Sequence, residues 1–379
     1  EYERMFHHIK YYAMTGLLGA IAVSQSAYAV TVYDTADARL QIGGRIAASS
    51  TFLHGVDNDN DPKNAGSRIN VVHEYNLADG WSTITRAEWG FDPFFTDGTN
   101  DHFKRLLYTG VSNEEYGTVL IGKQWSLWYD MLAWYTDYFW INGATAQGSF
   151  NAGFSGDGGE NGLGRPDNAI SWQNTYDKLT VGLMYQIEGD EFDADVPDYS
   201  NIERFKRKYG AQGVARYAVT DDWNVGIALQ HSNIDSTLDG GSQSSADANA
   251  ALFGTNYAPG NWYFALTAGE YRDTVFDSTF EGLEEQGSGI VDVARGYEGV
   301  AHYTFENVGP GKFELYSGFN RLEDDGSSAR NAFYLLGGAY FLMDNNLILS
   351  AEYSLDDSKD ANGNDINANS TSLLVRYNF

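Results

Sequence analysis

Apolar and polar positions alternate with a period of two along most of this chain. Only Trp128–Trp140 suggests a short helical turn. In Trp81–Phe91 one face carries Trp81, Thr83, Thr85, Ala87, Trp89 and Phe91, and the other carries Ser82, Arg86 and Glu88. The last ten residues repeat the pattern: Leu373, Val375, Tyr377 and Phe379 share a face opposite Arg376 and Asn378. An apolar, aromatic face that runs to the final residue needs an apolar solvent outside the protein. Exposed edge strands of soluble sheets are usually blunted by charge or proline. A transmembrane barrel meets the requirement, because the last strand pairs with the first and lipid covers the aromatic face. The pattern predicts an all-β protein of this kind.

Two classes of connection alternate between the strands. Tight turn signals lie at Leu77–Gly80, Asn113–Gly117, Thr175–Asp177, Thr220–Asp222, Ala258–Gly260, Asn307–Gly311 and Met343–Asn346. Longer polar stretches lie at Val56–Ala65, Asp92–Asp101, Ser126–Gly164, Gly189–Phe205, Ile234–Asp247, Asp273–Gly289, Leu322–Ser328 and Asp356–Asn369. Seven short and eight long connections predict sixteen antiparallel strands, wide enough to enclose an aqueous channel. No linker or shift in composition divides residues 30–379, which are expected to form one domain.

Residues 1–29 read as upstream residues and a secretory signal that is removed. Lys10 precedes the apolar run Ala13–Val23, and Ala27-Tyr28-Ala29 supplies an A-x-A site, so the mature chain should begin at Val30. A membrane anchor is the competing reading, but the run is about half of the ~20 residues that a spanning helix needs. Composition fits an exported β protein, with 42 Gly and 26 Tyr against 6 Pro. The absence of cysteine excludes disulfides and Cys-based metal or redox sites. A formal charge of −28 argues against nucleic acid as a partner and favours cations near the protein.

Four stretches together resemble the trimeric general porins of Gram-negative outer membranes. Tyr33–Arg45 resembles the opening strand, Gly117–Asp130 the strand entering the inward-folded third loop, Gly164–Trp172 the strand leaving it, and Leu374–Phe379 the terminal assembly signal. The resemblance implies a sixteen-stranded barrel with an inward third loop, a homotrimer in the outer membrane, and passive diffusion of small hydrophilic solutes. It also implies roles for residues. Arg45, Arg68 and Arg105 match a basic ladder on the channel wall, and Arg165 matches a further lumen arginine. Asp137 matches a constriction-loop carboxylate, while Phe379 and Tyr377 match the assembly signal. The family's second loop acid is replaced here by Ile141, so Asp157 or Glu160 is expected to supply it. Arginines facing carboxylates across a narrow gap create a transverse field that orients dipolar solutes. For each arginine the bland reading is a solvated residue or a loop-fixing ion pair.

Other signals carry less. Asp57–Asp61 and Asp360–Asp365 resemble calcium loops, but Pro62 and Arg68 occupy required positions of the first, and neither is an EF-hand. No metal or cofactor is expected; acidic outer loops bridged to lipopolysaccharide by divalent ions fit better. Arg204-Phe-Lys-Arg-Lys208 is a basic island that reads as a solvated strand end or a contact with lipopolysaccharide or a neighbouring subunit. The chain lacks Gly-x-Ser-x-Gly and His-Glu-x-x-His, and its histidines are scattered, so an enzyme is not expected. Trp128, Trp134 and Trp140 crowd the third loop with several tyrosines. They either pack the loop onto the wall or form a stacking track for sugars, as in chitoporins, the saccharide-selective relatives of general porins. The reading is therefore a general diffusion channel with weak cation preference, with a saccharide-preferring channel as the alternative.

Overall fold

The alternation places one apolar side chain in two on a single face, and a sheet built this way must close or leave a polar edge in lipid. The computed structural model describes residues 29–379 apart from 56–59, 95–101, 151–158, 160, 190, 194–201, 239–240, 281–282 and 284–289. Ala29 apart, the expected signal segment therefore lies outside the described residues, as do Asp157 and Glu160.

The wall begins with β1 (Ala38–Leu53), β2 (Arg68–Asn76), β3 (Ser82–Phe91), β4 (His102–Asn113) and β5 (Gly117–Lys123). After a long connection come β6 (Ala169–Tyr176), β7 (Leu179–Gln186), β8 (Ile202–Thr220), β9 (Trp223–Leu238) and β10 (Gln243–Tyr257). β11 (Trp262–Phe276), β12 (Ile290–Val308), β13 (Gly311–Asp324), β14 (Arg330–Leu342), β15 (Leu347–Asp356) and β16 (Ser370–Asn378) complete it. Each strand pairs antiparallel with the next, and β16 pairs with β1 from Ser370↔Leu53 to Asn378↔Arg45. The barrel is closed, with sixteen strands as the sequence predicts. Three short strands line it: Val30–Asp34 along β1, Lys63–Asn64 also on β1, and Glu191–Asp193 on β8.

The closing seam explains two glycines. The Phe379 N–H donates to Gly44 O (3.0 Å), and Phe379 O accepts in return from the Gly44 N–H (2.8 Å). A Cβ on Gly44 would lie 2.5 Å from Arg68 O and 2.8 Å from the Phe379 ring, so only glycine lets the strands meet there. Gly43 is similarly crowded by Ala29 and Phe379.

Burial follows the predicted faces. On β3, Ser82, Ile84, Arg86 and Glu88 are buried while Thr85 and Trp89 are exposed. On β16, Leu373, Val375 and Tyr377 point outward and Ser372, Leu374 and Asn378 inward. The short connections fall where turns are predicted, and Met343, Asp344 and Asn345 take left-handed φ of 52°, 55° and 71°. Asp and Asn tolerate that region; Met does not favour it.

Some long connections are shorter than expected. Ile234–Asp247 is mostly strand, because β9 runs to Leu238 and β10 starts at Gln243. These ends read as loop because Asp235, Ser236, Thr237, Ser244 and Ser245 show no alternation; a strand that rises beyond the hydrocarbon meets water on its outer face. β11 likewise runs on to Phe276, β13 to Asp324, and β8 begins at Ile202.

Candidate functional site

The connection between β5 and β6 carries the predicted helical turn, as α1 (Leu127–Met131) followed by a 3-10 turn at Ala133–Tyr135. Ser126 caps α1: its Oγ accepts from Tyr129 N (3.0 Å) and donates to Leu163 O (2.6 Å), tying entry to exit. From there the connection is bonded to distant strands. The Trp128 N–H donates to Gln212 Oε1 on β8 (2.7 Å), and Tyr263 of β11 donates to Tyr135 O (2.8 Å). Tyr138 donates to Glu314 on β13 (2.8 Å), and Thr145 N donates to Asn320 Oδ1 (3.1 Å). Gln212, Tyr263 and Glu314 alternate with outward apolar or small residues, and Asn320 follows Glu314 on the same face of β13, so the bonds are made on one face of the wall. Leu132, Tyr135 and Phe139 pack there in the largest apolar cluster among the described residues.

The arginines occupy the same face of strands β16 and β1 to β4. Arg45 and Arg68 are register partners. Arg68, Arg86 and Arg105 converge on one carboxylate, that of Glu88, at 3.2, 2.7 and 2.8 Å. All four of these side chains are buried, which such a pairing requires. Arg45 donates through Nε to Gly66 O (2.9 Å). Arg376, on the inward face of β16, lies 5.2 Å from the Trp140 ring centroid, and Arg165 lies 4.8 Å from that of Trp125. The structure thus gathers Arg45, Arg68 and Arg105 on one patch and sets Arg165 against an aromatic ring of the long connection.

Of the expected loop acids, Asp137 lies among the described residues. Asp137 accepts from Tyr129 OH (2.6 Å), and burial raises its carboxyl above the ordinary range. Asp130, on α1, is partly accessible yet so enclosed that burial pushes it up to about 7. Glu298, Glu314 and Glu352 are buried on the wall like Glu88, and none of the three is among the predicted site residues. Each is an acid inside an apolar strand, as in Phe313-Glu314-Leu315 and Ala351-Glu352-Tyr353, and that signal was readable.

The three tryptophans differ. Trp128 is fully buried, with Nε1 donating to Gln147 O (2.9 Å), so no face of its ring is free. Trp134 and Trp140 are half-buried; Trp134 meets Tyr135 edge-on at 5.2 Å and Trp140 meets Phe341 at 5.5 Å. The basic island near β8 is engaged in pairs, Arg204 with Glu191 (3.5 Å) and Lys208 with Asp235 (3.2 Å).

A sequence profile described as Gram-negative porin matches residues 13–379. Outer membrane porin F of Xenorhabdus nematophila is 22% identical over 96% of this chain and 98% of its own length. Outer membrane porin C of Salmonella typhimurium is 23% identical over 90% and 91%. Among solved structures, Salmonella typhi OmpF in complex with daunomycin superposes with a TM-score of 0.67 at 16% identity, covering 92% of this chain and all of that one. The trimer form of OmpT from Vibrio cholerae gives 0.61 at 16% identity, covering 90% of this chain and all of that one.

Proposed function

We propose, for a chain that belongs to the Gram-negative porin family, a water-filled channel for passive diffusion of small hydrophilic solutes and ions. As a porin it is an outer-membrane β-barrel channel and not an enzyme. The observation that carries the finer reading is the bonding of the β5–β6 connection to the wall face that also bears the arginines. We read that connection as folded into the lumen, where it sets the narrowest point. A weak cation preference is supported by the charge of −28 and by Glu88, which offsets part of the arginine charge. Reversal potentials in planar bilayers test the preference directly.

Asp130 gives this reading a pH dependence. Its raised pKa means that it binds a proton as pH falls from 8 to 6, removing a negative charge near Arg86 and Arg216. Anion permeability is expected to rise over that window, and Asp130→Asn should remove the step. A wild-type step that survives in the variant would assign it to another group.

The saccharide-preferring alternative rests on the half-buried rings of Trp134 and Trp140. If they stack on sugar, micromolar chito- or malto-oligosaccharide should block single channels for resolvable times. Each stacked ring contributes on the order of 1 kcal/mol, so Trp134→Ala or Trp140→Ala should shorten the blocks several-fold. Packing alone predicts no blocks and less stable protein in those variants.

A homotrimer is supported by the outer face of β2, β3 and β4. His73 is the register partner of Thr85, and Thr85 of Thr109, whose hydroxyls are 2.8 Å apart. This polar row suits a neighbouring subunit better than acyl chains. Lipid and lipopolysaccharide would cover the remaining exterior.

A further inference from the structure

β11 does not run straight to its end. Its pairing with β12 slips between Arg272 and Val275, so that Asp273 and Thr274 stand against Asp292 alone. Asp273 takes a left-handed φ of 51°, and Thr274 Oγ1 donates to Arg272 O (2.8 Å). A bulge of this kind bends its strand and re-aims the side chains beyond it. Val275 and Phe280 are wholly buried, and Phe276 nearly so. A hairpin end that rose straight from the barrel would leave these side chains in water.

They are buried on the inward side of the wall. Phe205 on β8, Ile234 on β9 and Ala248 on β10 all point inward, three apolar side chains in an interior that is ordinarily polar. Phe276 covers them: its ring meets that of Phe205 edge-on at 4.6 Å, in one cluster with Ile234 and Ala248. β8 is three strands from β11, about 14 Å of wall, so the chain leans across β10 to reach it. On the other side a 3-10 turn at Asp277–Thr279 is held by β14, also three strands away, where Asn331 Nδ2 donates to Thr279 O (2.6 Å). Only a segment inside the barrel can touch strands three places to either side of its own.

Tyr271, the last inward residue before the bulge, donates to Ala146 O of the β5–β6 connection (2.8 Å). The bulge and the hairpin end therefore lie beyond that connection, toward the end of the barrel that carries the long connections. We propose that residues 274–280 form a collar, a second narrowing in series with the β5–β6 connection, which screens solutes by width before the arginine patch acts on their charge. This rests on the reading of the protein as a diffusion channel. Phe276 and Asn331 are the positioning residues: one seats the collar over β8 to β10, and the other ties it to β14. The apolar patch at Phe205, Ile234 and Ala248 is the seat, which is why a barrel interior keeps it.

The test uses the full-length protein in liposomes swollen with neutral sugars of increasing mass, and in planar bilayers. Phe276→Ser and Asn331→Ala should each admit sugars that the wild type excludes. Phe276→Ser should raise the entry rate of the smallest excluded sugar by about tenfold, because a packed ring is lost. Reversal potentials should stay at the wild-type value, since the arginine patch is untouched. A wild-type size limit in both variants would overturn the collar. If Phe276→Ser does not assemble, Asn331→Ala decides alone, because it leaves both rings in place.

The absence of cysteine allows a reversible lock. In the double variant Phe205→Cys and Phe276→Cys, the free thiols should give the wider size limit of Phe276→Ser. A short bis-methanethiosulfonate, bridging the space the two rings leave, should return the limit to that of the wild type, and a reductant should widen it again. A pair that cannot be bridged places the hairpin end away from β8 and overturns the proposal. A pair that is bridged with no change in size limit makes the contact a brace between long strands and overturns the collar as well. Wild-type protein that passes no sugar overturns the channel reading, and the collar with it.

Discussion

Deleting Phe379, or replacing it with Asp, is expected to remove nearly all assembled protein from the outer membrane. The deletion costs the barrel the reciprocal pair of backbone bonds between Phe379 and Gly44, the last rungs of the closing seam. In hydrocarbon no water replaces them, and each unsatisfied backbone group costs several kcal/mol. About 1.4 kcal/mol is already tenfold in an equilibrium, so a loss of two such groups should leave little closed barrel. A charged residue keeps the backbone but puts an ion beside Gly44 at the rim. Tyr377→Asp should act in the same direction, because its ring faces outward on the same strand. Gly44→Ala provides an independent approach to the seam, since its Cβ would meet Arg68 O and the Phe379 ring. Electrophoresis of unheated outer-membrane extracts reads the outcome as the amount of heat-modifiable oligomer. Normal amounts in the Phe379 deletion would show that neither closure nor recognition uses this end.

The seam was legible because a strand writes its faces into sequence directly. Leu373, Val375 and Tyr377 had to point at one solvent and Arg376 and Asn378 at another, whatever the partner strand. Strand ends outside the membrane were not legible. There both faces meet water, and residues such as Ser244 and Ser245 extend β10 with no apolar mark. The arginine patch was half legible. Arg45, Arg68 and Arg105 stand in strands whose alternation turns them inward, but their common partner Glu88 sits between Ala87 and Trp89, and nothing local says three arginines reach it. Glu298 and Glu352 lie at least 150 residues from the backbone they hold. Contacts of that separation are set by closure of the barrel, and a reading confined to local pattern does not reach them.

Neutralising Arg45, Arg68 and Arg105 together, each to Gln, is expected to raise cation preference strongly. Among the described residues, Arg68, Arg86 and Arg105 share the carboxylate of Glu88, and Arg45 lies beside them, bonded to Gly66 O. In the triple variant Arg86 and Glu88 remain and cancel, and the acidic remainder of the chain dominates. One unit charge at roughly 10 Å in water is worth about 0.4 kcal/mol to a passing ion. Three sum to about 1 kcal/mol, or roughly five- to tenfold in the local concentration of each ion, upward for cations and downward for anions. Salt screens this over a Debye length of about 10 Å at 0.1 M, so the reversal potential should be read at low ionic strength and the shift should shrink as salt rises. Glu88→Gln supplies the opposite sign: it removes the acid that Arg68, Arg86 and Arg105 share and should move the potential toward anions. A mutation that merely disturbed packing would not reverse direction between the two variants. Equal potentials in wild type, triple variant and Glu88→Gln would place this patch outside the path that ions take.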